Sequence, residues 1–424
     1  MYSALISKRT DGYSLPFAIL IFIIVIILSS SLILTAYQKE IVIYRVILTE
    51  KLVTNANSAL NILIAHSEKY PYNQEIHLSL YDSTQDSVIL SKEQWGAFDI
   101  LQATAHHKGQ KKTLSAMIGS YTQDSSSIAL FIPESGKSIA LVGNVNIIGN
   151  CKLPEAKFTE GNVEGKIFTG KPIKSLIKTS ECILPPLNEN ITKLTLNQAM
   201  DTYMEYDSKI VPIDDFKSDS LSVSFIADST ITLYSNKRII LNKKILKGKI
   251  VIISKKSIII EPSSNLSDVI CFAPYIQINE GFCGNLQAYA SDSITIKENC
   301  NLTYPSVIGI NKETHGNSKL SIMQNSSLYG IAFMNITDEA SKSVLNISKN
   351  SIIKGQVYSN SYTEIRGAIH GTLYTKKIIL RTNSSVYENT IMDADINIHK
   401  LSNNYIGIDL INEGTKGGVI KWIY

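Results

Sequence analysis

The stretches ITIKENCNL (residues 294–302), LSIMQNSSL (320–328), LNISKNSII (345–353) and IILRTNSSV (378–386) carry one phrase. It runs apolar, any, apolar, two spacers, Asn, a small residue, any, apolar. A repeat of this length marks stacked supersecondary units. The first apolar positions fall at 258, 276, 294, 320, 345, 363 and 378, giving steps of 18, 18, 26, 25, 18 and 15 residues. One step suits one coil of a parallel β-helix, with extra loop residues in the longer turns. Two apolar residues separated by one neighbour both point into the bore. The Asn at 299, 325, 350 and 383 suits a corner that needs left-handed backbone, and the coil starting at Ile276 places Gly281 there. Asn and Gly share that conformational tolerance and little else.

The stretch VNIIGNCKL (145–153) matches too, with Asn150 at the corner position. Working outward, the pattern predicts a parallel β-helix over 139–424. It begins near 140, is interrupted by an insertion over about 170–230, resumes near 231, and ends in a capping hairpin over about 401–424. Thr363-Glu364-Ile365, followed by Arg366-Gly367-Ala368, fits as a shortened coil. Cys151 and Cys300 fill the small slot that Ser264, Ser326, Ser351 and Ser384 fill elsewhere, which predicts buried thiols. No Cys-x-x-Cys pair is present among the five cysteines, so neither a zinc site nor a redox pair is indicated.

The amino-terminal part has a different logic. Leu15 to Ala36 is 22 residues without a charge, long enough to cross a bilayer as a helix. Lys8 and Arg9 precede it, which puts the N-terminus in the cytoplasm and the bulk of the chain outside the cytoplasmic membrane. From Tyr37 to His66 there is no Pro or Gly, and Val46, Leu52, Val53, Ala56, Leu60 and Leu63 form a helical stripe. The reading is a basic leader over 1–12, one helix over 13–66 with its membrane span at 15–36, and a small strand-rich region over 67–138. In that region Ile128–Ile132 and Ser138–Val142 flank Pro133-Glu134-Ser135-Gly136 as a hairpin would.

A basic leader, Gly12, Tyr13-Ser14-Leu15 and then an apolar helix resemble the start of a type IV pilin-like protein. The resemblance implies cleavage between Gly12 and Tyr13 and a helix that is both anchor and assembly spine. The usual Glu five residues after the cut is Phe17 here, as in minor pilin-like subunits that lack it. A plain signal-anchor helix, never cleaved, is the alternative. Gly355-Gln356-Val357-Tyr358 and Ile365-Arg366-Gly367-Ala368-Ile369-His370-Gly371 resemble the polymer-forming bactofilins, which implies a right-handed parallel β-helix and a scaffold.

Chemistry is sparse. Seven histidines are scattered, and His106-His107 would face opposite sides of a strand. No His-Glu-x-x-His, Gly-x-Ser-x-Gly or phosphate-binding glycine loop occurs. No catalytic residue, metal or cofactor is assigned. Asp393 and Asp395 are two apart on a predicted strand, and paired carboxylates can act as acid and base in glycoside cleavage. Asp214-Asp215 is a second pair, and Lys376-Lys377 is the nearest basic pair. Tyr329, Tyr358, Tyr374 and Tyr387 near turns would suit a glycan-binding strip. Net charge is only +4 with dispersed basic residues, so nucleic acid is not an expected partner. The expected partners are the lipid bilayer, envelope or pilin-like assembly subunits, and glycan. The functional expectation is a membrane-anchored structural or assembly protein outside the cytoplasm. The alternative is a tethered polysaccharide-binding or polysaccharide-cleaving protein, which three or more carboxylate and basic side chains converging on the stack would favour.

Overall fold

The computed structural model describes residues 14–79, 86–121, 128–171, 176–205, 209–411 and 417–423. The proposed processing junction Gly12–Tyr13 lies outside them. The protein is mainly β, with one long apolar helix, α1 (Ser14–Ala65), of 52 residues. At 1.5 Å per residue α1 is about 78 Å long. Its first part is bare: from Ser14 to Ile47 every side chain is exposed except the half-buried Ile41. Its second part is one-sided. Leu48, Leu52, Asn55, Ala56, Ala59, Leu60 and Leu63 are buried, at helical spacing. The buried stripe thus starts at Leu48, whereas Val46 of the expected stripe is exposed.

That stripe packs on an antiparallel sheet of β1 (Ile76–Leu78), β2 (Asp86–Trp95), β3 (Phe98–His107) and β4 (Gln110–Tyr121). Tight turns at Gly96 and at Lys108-Gly109, all with positive φ, set the meander. Strand alternation gives the sheet two buried faces. Leu90, Leu101, Ala103, Ala116 and Ile118 meet α1. Trp95, Phe98, Ile100 and Met117 face away from it, into a second core.

The other large unit is a closed sheet of nearly all parallel strands. The expected register holds residue for residue. Ile258 pairs with Ile276, Ile276 with Ile294, Ile294 with Leu320, Leu320 with Leu345, Leu345 with Thr363, and Thr363 with Ile378. All seven are at most 1% exposed. A second inward row runs Val211, Leu233, Ile252, Cys271, Ala288, Ile308, Ala332, Val357 and Leu373. Corners at Gly281, Asn299, Asn325 and Asn350 have φ of 57–78°. Asn150 and Asn383 do not adopt positive φ: Gly149 turns that corner instead, and Asn383 lies in a hairpin between 368–381 and 386–388. IILRTNSSV therefore closes no coil, and Ser384 is exposed.

Four expectations about chain path are corrected. The second inward row continues from Leu373 to Leu130, then Cys151, then Ile177. The early segment is thus stacked beyond residue 373, at the far end from residue 231. Cys151 is one of those rungs rather than a corner residue. The strands Ile128–Phe131 and Ile139–Val142 do not pair with each other, so Pro133–Gly136 is a corner and not a hairpin turn. The segment 180–205 belongs to the insertion. Its helix, Leu196–Glu205, packs along the side of the stack against Ile250–Ser254 and Val269–Ile278. The C-terminal residues are no capping hairpin either: Ile406–Gly407 and Gly417–Ile423 both pair with β4.

An aromatic outward row of the stack faces the antiparallel sheet: Phe272, Tyr289, Gly309, Phe333, Tyr358, Tyr374 and Phe131. Ring centroids lie 5.2 Å apart for Phe272–Tyr289 and 5.5 Å for Phe131–Tyr374. Phe333 lies over Gly309, where a Cβ would come within 2.1 Å of its ring. Two glutamines clamp the docking. Ala97 N donates to Gln287 Oε1 at 2.8 Å and Gln287 Nε2 to Trp95 O at 2.9 Å. Gln356 makes the same two-bond pair with Ile408, both bonds at 2.9 Å.

Corner chemistry generates a contrast in thermal unfolding. A β-branched residue at φ near 57° costs about 1–2 kcal/mol, so Asn325→Val should lower Tm measurably. Gly281→Asn, with open space where its Cβ would go, should leave Tm near that of the parent. Gly355→Ala should be far worse than either, since its Cβ would stand 1.9 Å from Gly330 O.

Candidate functional site

The side of the stack that carries polar groups lies on a different row from the aromatic face. Its outward positions pair in the order Asn301, Ser327, Ile352, Ala368, Asp395 and Asn146. The last step joins a late strand to an early one. A groove of about 800 Å³ opens here, lined by residues of four consecutive circuits, among them Asn146, Asn350, Arg366, Asp393, Asp395 and Lys400.

Asp395 is the hub. It accepts from Lys400 Nζ at 2.6 Å and from Asn146 Nδ2 at 2.7 Å. His370 Nε2 lies 3.3 Å from its second oxygen. Partial burial alone would raise the Asp395 carboxyl, but these bonds outweigh it and hold the group below the usual carboxylate range. Asp393 behaves alike. Burial opposes ionisation, yet the ion pair with Lys166 and the bond from Asn144 N at 3.0 Å win. His370 is pushed down chiefly by burial, aided by the nearby Lys400 and Lys354 and opposed by Asp395.

Carboxylate and basic side chains therefore do converge on the stack, the arrangement that would favour the polysaccharide alternative. The chemistry they can perform is bounded by the protonation states. An acid–base pair needs environments that push two carboxyls apart. Here both are held as anions, so neither is a proton donor near neutrality. Asp393 is also not on the strand with Asp395: it sits at a corner with φ 50°, before the strand Asp395–Asn397.

Other expected positions fall elsewhere. Asp214 and Asp215 are exposed in a short turn beside the strand Lys209–Pro212, at the opposite end of the stack. Lys376 and Lys377 are exposed on the strand Ala368–Arg381, with Lys377 over the Tyr362 ring. Tyr358 and Tyr374 are buried under the antiparallel sheet and its neighbours, and Tyr358 OH donates to Pro185 O at 2.9 Å. Tyr329 is half-buried in a cluster with Tyr304 and Tyr405, so the four tyrosines form no exposed strip. His106 and His107 lie at the end of β3. Among the described residues no group of three or more His, Cys, Asp or Glu is placed to hold a metal. All five cysteines are free. Burial pushes the Cys151 and Cys271 thiols up to about 12, so they are inert.

Sequence reasoning missed His370, Lys400, Lys166 and Asn146 as partners of the aspartates. The available signal was the match at 145–153, which puts Asn146 on an outward position. Its neighbour, however, depends on stacking order.

A second cavity of about 800 Å³ lies where α1, the antiparallel sheet and the segment 188–191 meet. Its buried lysine, Lys92, is satisfied internally. Lys92 Nζ lies 3.3 Å from Asp99, bonds Ser67 O at 3.0 Å, and sits 4.2 Å from the Tyr72 ring centre. Burial raises Asp99 despite Lys92.

No protein-family model matches this chain, and no curated protein does. A solved structure, the competence-associated pilin ComZ from Thermus thermophilus, aligns over 83% of this chain and 88% of its own, at 9% identity and a TM-score of 0.22. A likeness at that score carries no argument.

The depressed His370 sets a pH dependence. The unfolded ring takes its proton near 6.5, before the folded one. Stability contributed by the neutral ring is thus fully present above about 6.5 and is lost as pH falls through the lower folded value. Compared with the parent, His370→Gln should lose less stability between pH 7 and pH 5 in denaturant titrations.

Proposed function

We propose that this chain is a single-pass membrane protein of the cell envelope. Its N-terminus lies in the cytoplasm and its body outside, in the manner of a minor pilin-like subunit. The observation that carries the reading is the division of α1. Ser14–Ile47 exposes Leu, Ile, Val and Phe side chains all round, whereas Leu48–Leu63 docks one face on an antiparallel sheet. An all-round apolar segment belongs in lipid, and a one-sided one belongs on a protein core. Val42, Ile43, Tyr44, Val46 and Ile47 extend the exposed apolar surface past the uncharged span, which supports helix-to-helix assembly with pilin-like or other envelope subunits. The stack is read as a right-handed parallel β-helix, bactofilin-like in its aligned Gly330, Gly355 and Gly371, and serves as a rigid scaffold.

Mass spectrometry of the N-terminus tests the pilin-like part. A mature chain starting at Tyr13, and its loss in Gly12→Leu, is the expected result. An intact Met1 in the membrane-extracted protein would leave a plain anchor and sink the pilin-type processing.

A further inference from the structure

The polar groove has more positive charge than its own ion pairs consume. Asp393 is engaged by Lys166, and Asp395 by Lys400 and His370. Arg366 is engaged by Glu364, at 3.4 Å. Lys171 lines the groove as well. Lys354 is the strand neighbour of His370, and Lys349 immediately precedes Asn350 of the groove lining. Lys171, Lys349 and Lys354 are exposed, with no carboxylate partner among the described residues. The surplus cations thus surround a floor of fixed carboxylates and amides: Asp393, Asp395, Asn146 and Asn350.

That combination discriminates between polyanions. A deoxyribose-phosphate strand, like a polyuronate, carries a charge on every unit, but it presents no hydroxyls along its backbone. The floor carboxylates would repel it with no hydroxyl hydrogen bonds to offset the repulsion, and among the described residues the groove lining includes no aromatic side chain on which bases could stack. A glycan of uronate type presents ring hydroxyls, which donate to carboxylate and amide oxygens, and spaced carboxylates, which pair with lysine. Strand neighbours along the stack repeat every ~4.8 Å, so the groove offers a linear row rather than a point site.

We propose that the groove around Asp393 and Asp395 binds an extended acidic polysaccharide, with Lys171, Lys349 and Lys354 meeting its carboxylates and the floor meeting its hydroxyls. The proposal is independent of leader processing. No bond is made or broken.

The test uses the full chain in detergent micelles, titrated with polygalacturonate, dextran and single-stranded oligo-dT at two salt concentrations. Polygalacturonate should bind, weaken with salt, and lose at least ten-fold in affinity in Lys171→Gln/Lys349→Gln/Lys354→Gln, whose sites are exposed. Asp393→Asn/Asp395→Asn should bring oligo-dT binding up toward that of polygalacturonate, because the repulsive floor is gone. Any of four outcomes overturns the proposal: no polygalacturonate binding, equal binding of dextran, tighter oligo-dT binding by the parent, or an unchanged triple variant.

Discussion

One row of strands has to satisfy two cores at once, and the rest of the structure depends on it. Along the stack, Cys271, Ala288, Ala332, Val357, Leu373 and Leu130 point into the bore, while their neighbours Phe272, Tyr289, Phe333, Tyr358, Tyr374 and Phe131 point out. The alternation is a period of two, so a slip of one residue would exchange the sets. Small and aliphatic residues fit the narrow bore, and rings fit the broad outer face. Each ring buries roughly 150–250 Å². Six such rings represent on the order of 30 kcal/mol of gross apolar burial at ~25 cal/mol per Å², an upper figure because the unfolded chain already hides part of it. Exposing that row to water is not an available state, so the antiparallel sheet is fixed to the stack. Because α1 packs on the sheet's other face, the apolar helix, the sheet and the stack are connected through continuous side-chain contact.

The chain path reinforces the connection. After β4 the chain makes its circuits at the far end of the stack, then crosses along the side through residues 180–205 and restarts at Lys209–Pro212. The later circuits return toward the early ones until Leu373 meets Leu130. The C-terminal strand then adds to β4. Closure of the stack therefore requires contacts of very large sequence separation, such as the 249 residues between Asn146 and Asp395. Such topologies fold slowly, since loop closure precedes the contacts that repay it.

This path also explains what was legible in the sequence. Coil register depends on local facts: two inward residues, a corner with φ > 0, a small side chain inside the bend. The phrase carries all three, so pairing from Ile258 to Ile378 is readable, even through Thr363. The order in which coils stack has no local signature. The match at 145–153 identifies a member of the sheet without revealing which neighbour it takes, and 378–386 repeats the phrase while folding as a hairpin. The same division applies to the groove. Asp393 and Asp395 stand out in the sequence, but Asn146, Lys166 and His370 become their partners only when early and late circuits are brought together.

The groove lies on that seam, which raises the question whether its charges exist to hold the seam shut. The exposures argue otherwise. The side chains of Lys166 and Lys400 are each 49% exposed and those of Asp393 and Asp395 are 35% and 25% exposed; surface pairs of this kind contribute ~0–1 kcal/mol. Across the same seam Leu373 faces Leu130 and Ile396 faces Ile147, all at most 2% exposed. Fully burying such side chains is worth about 1.5–3 kcal/mol each. The apolar rungs close the stack, and the polar groups above them are not needed for closure. A charged cluster that fold stability does not require, on a surface held rigid by the bore beneath it, is available for recognition of a ligand.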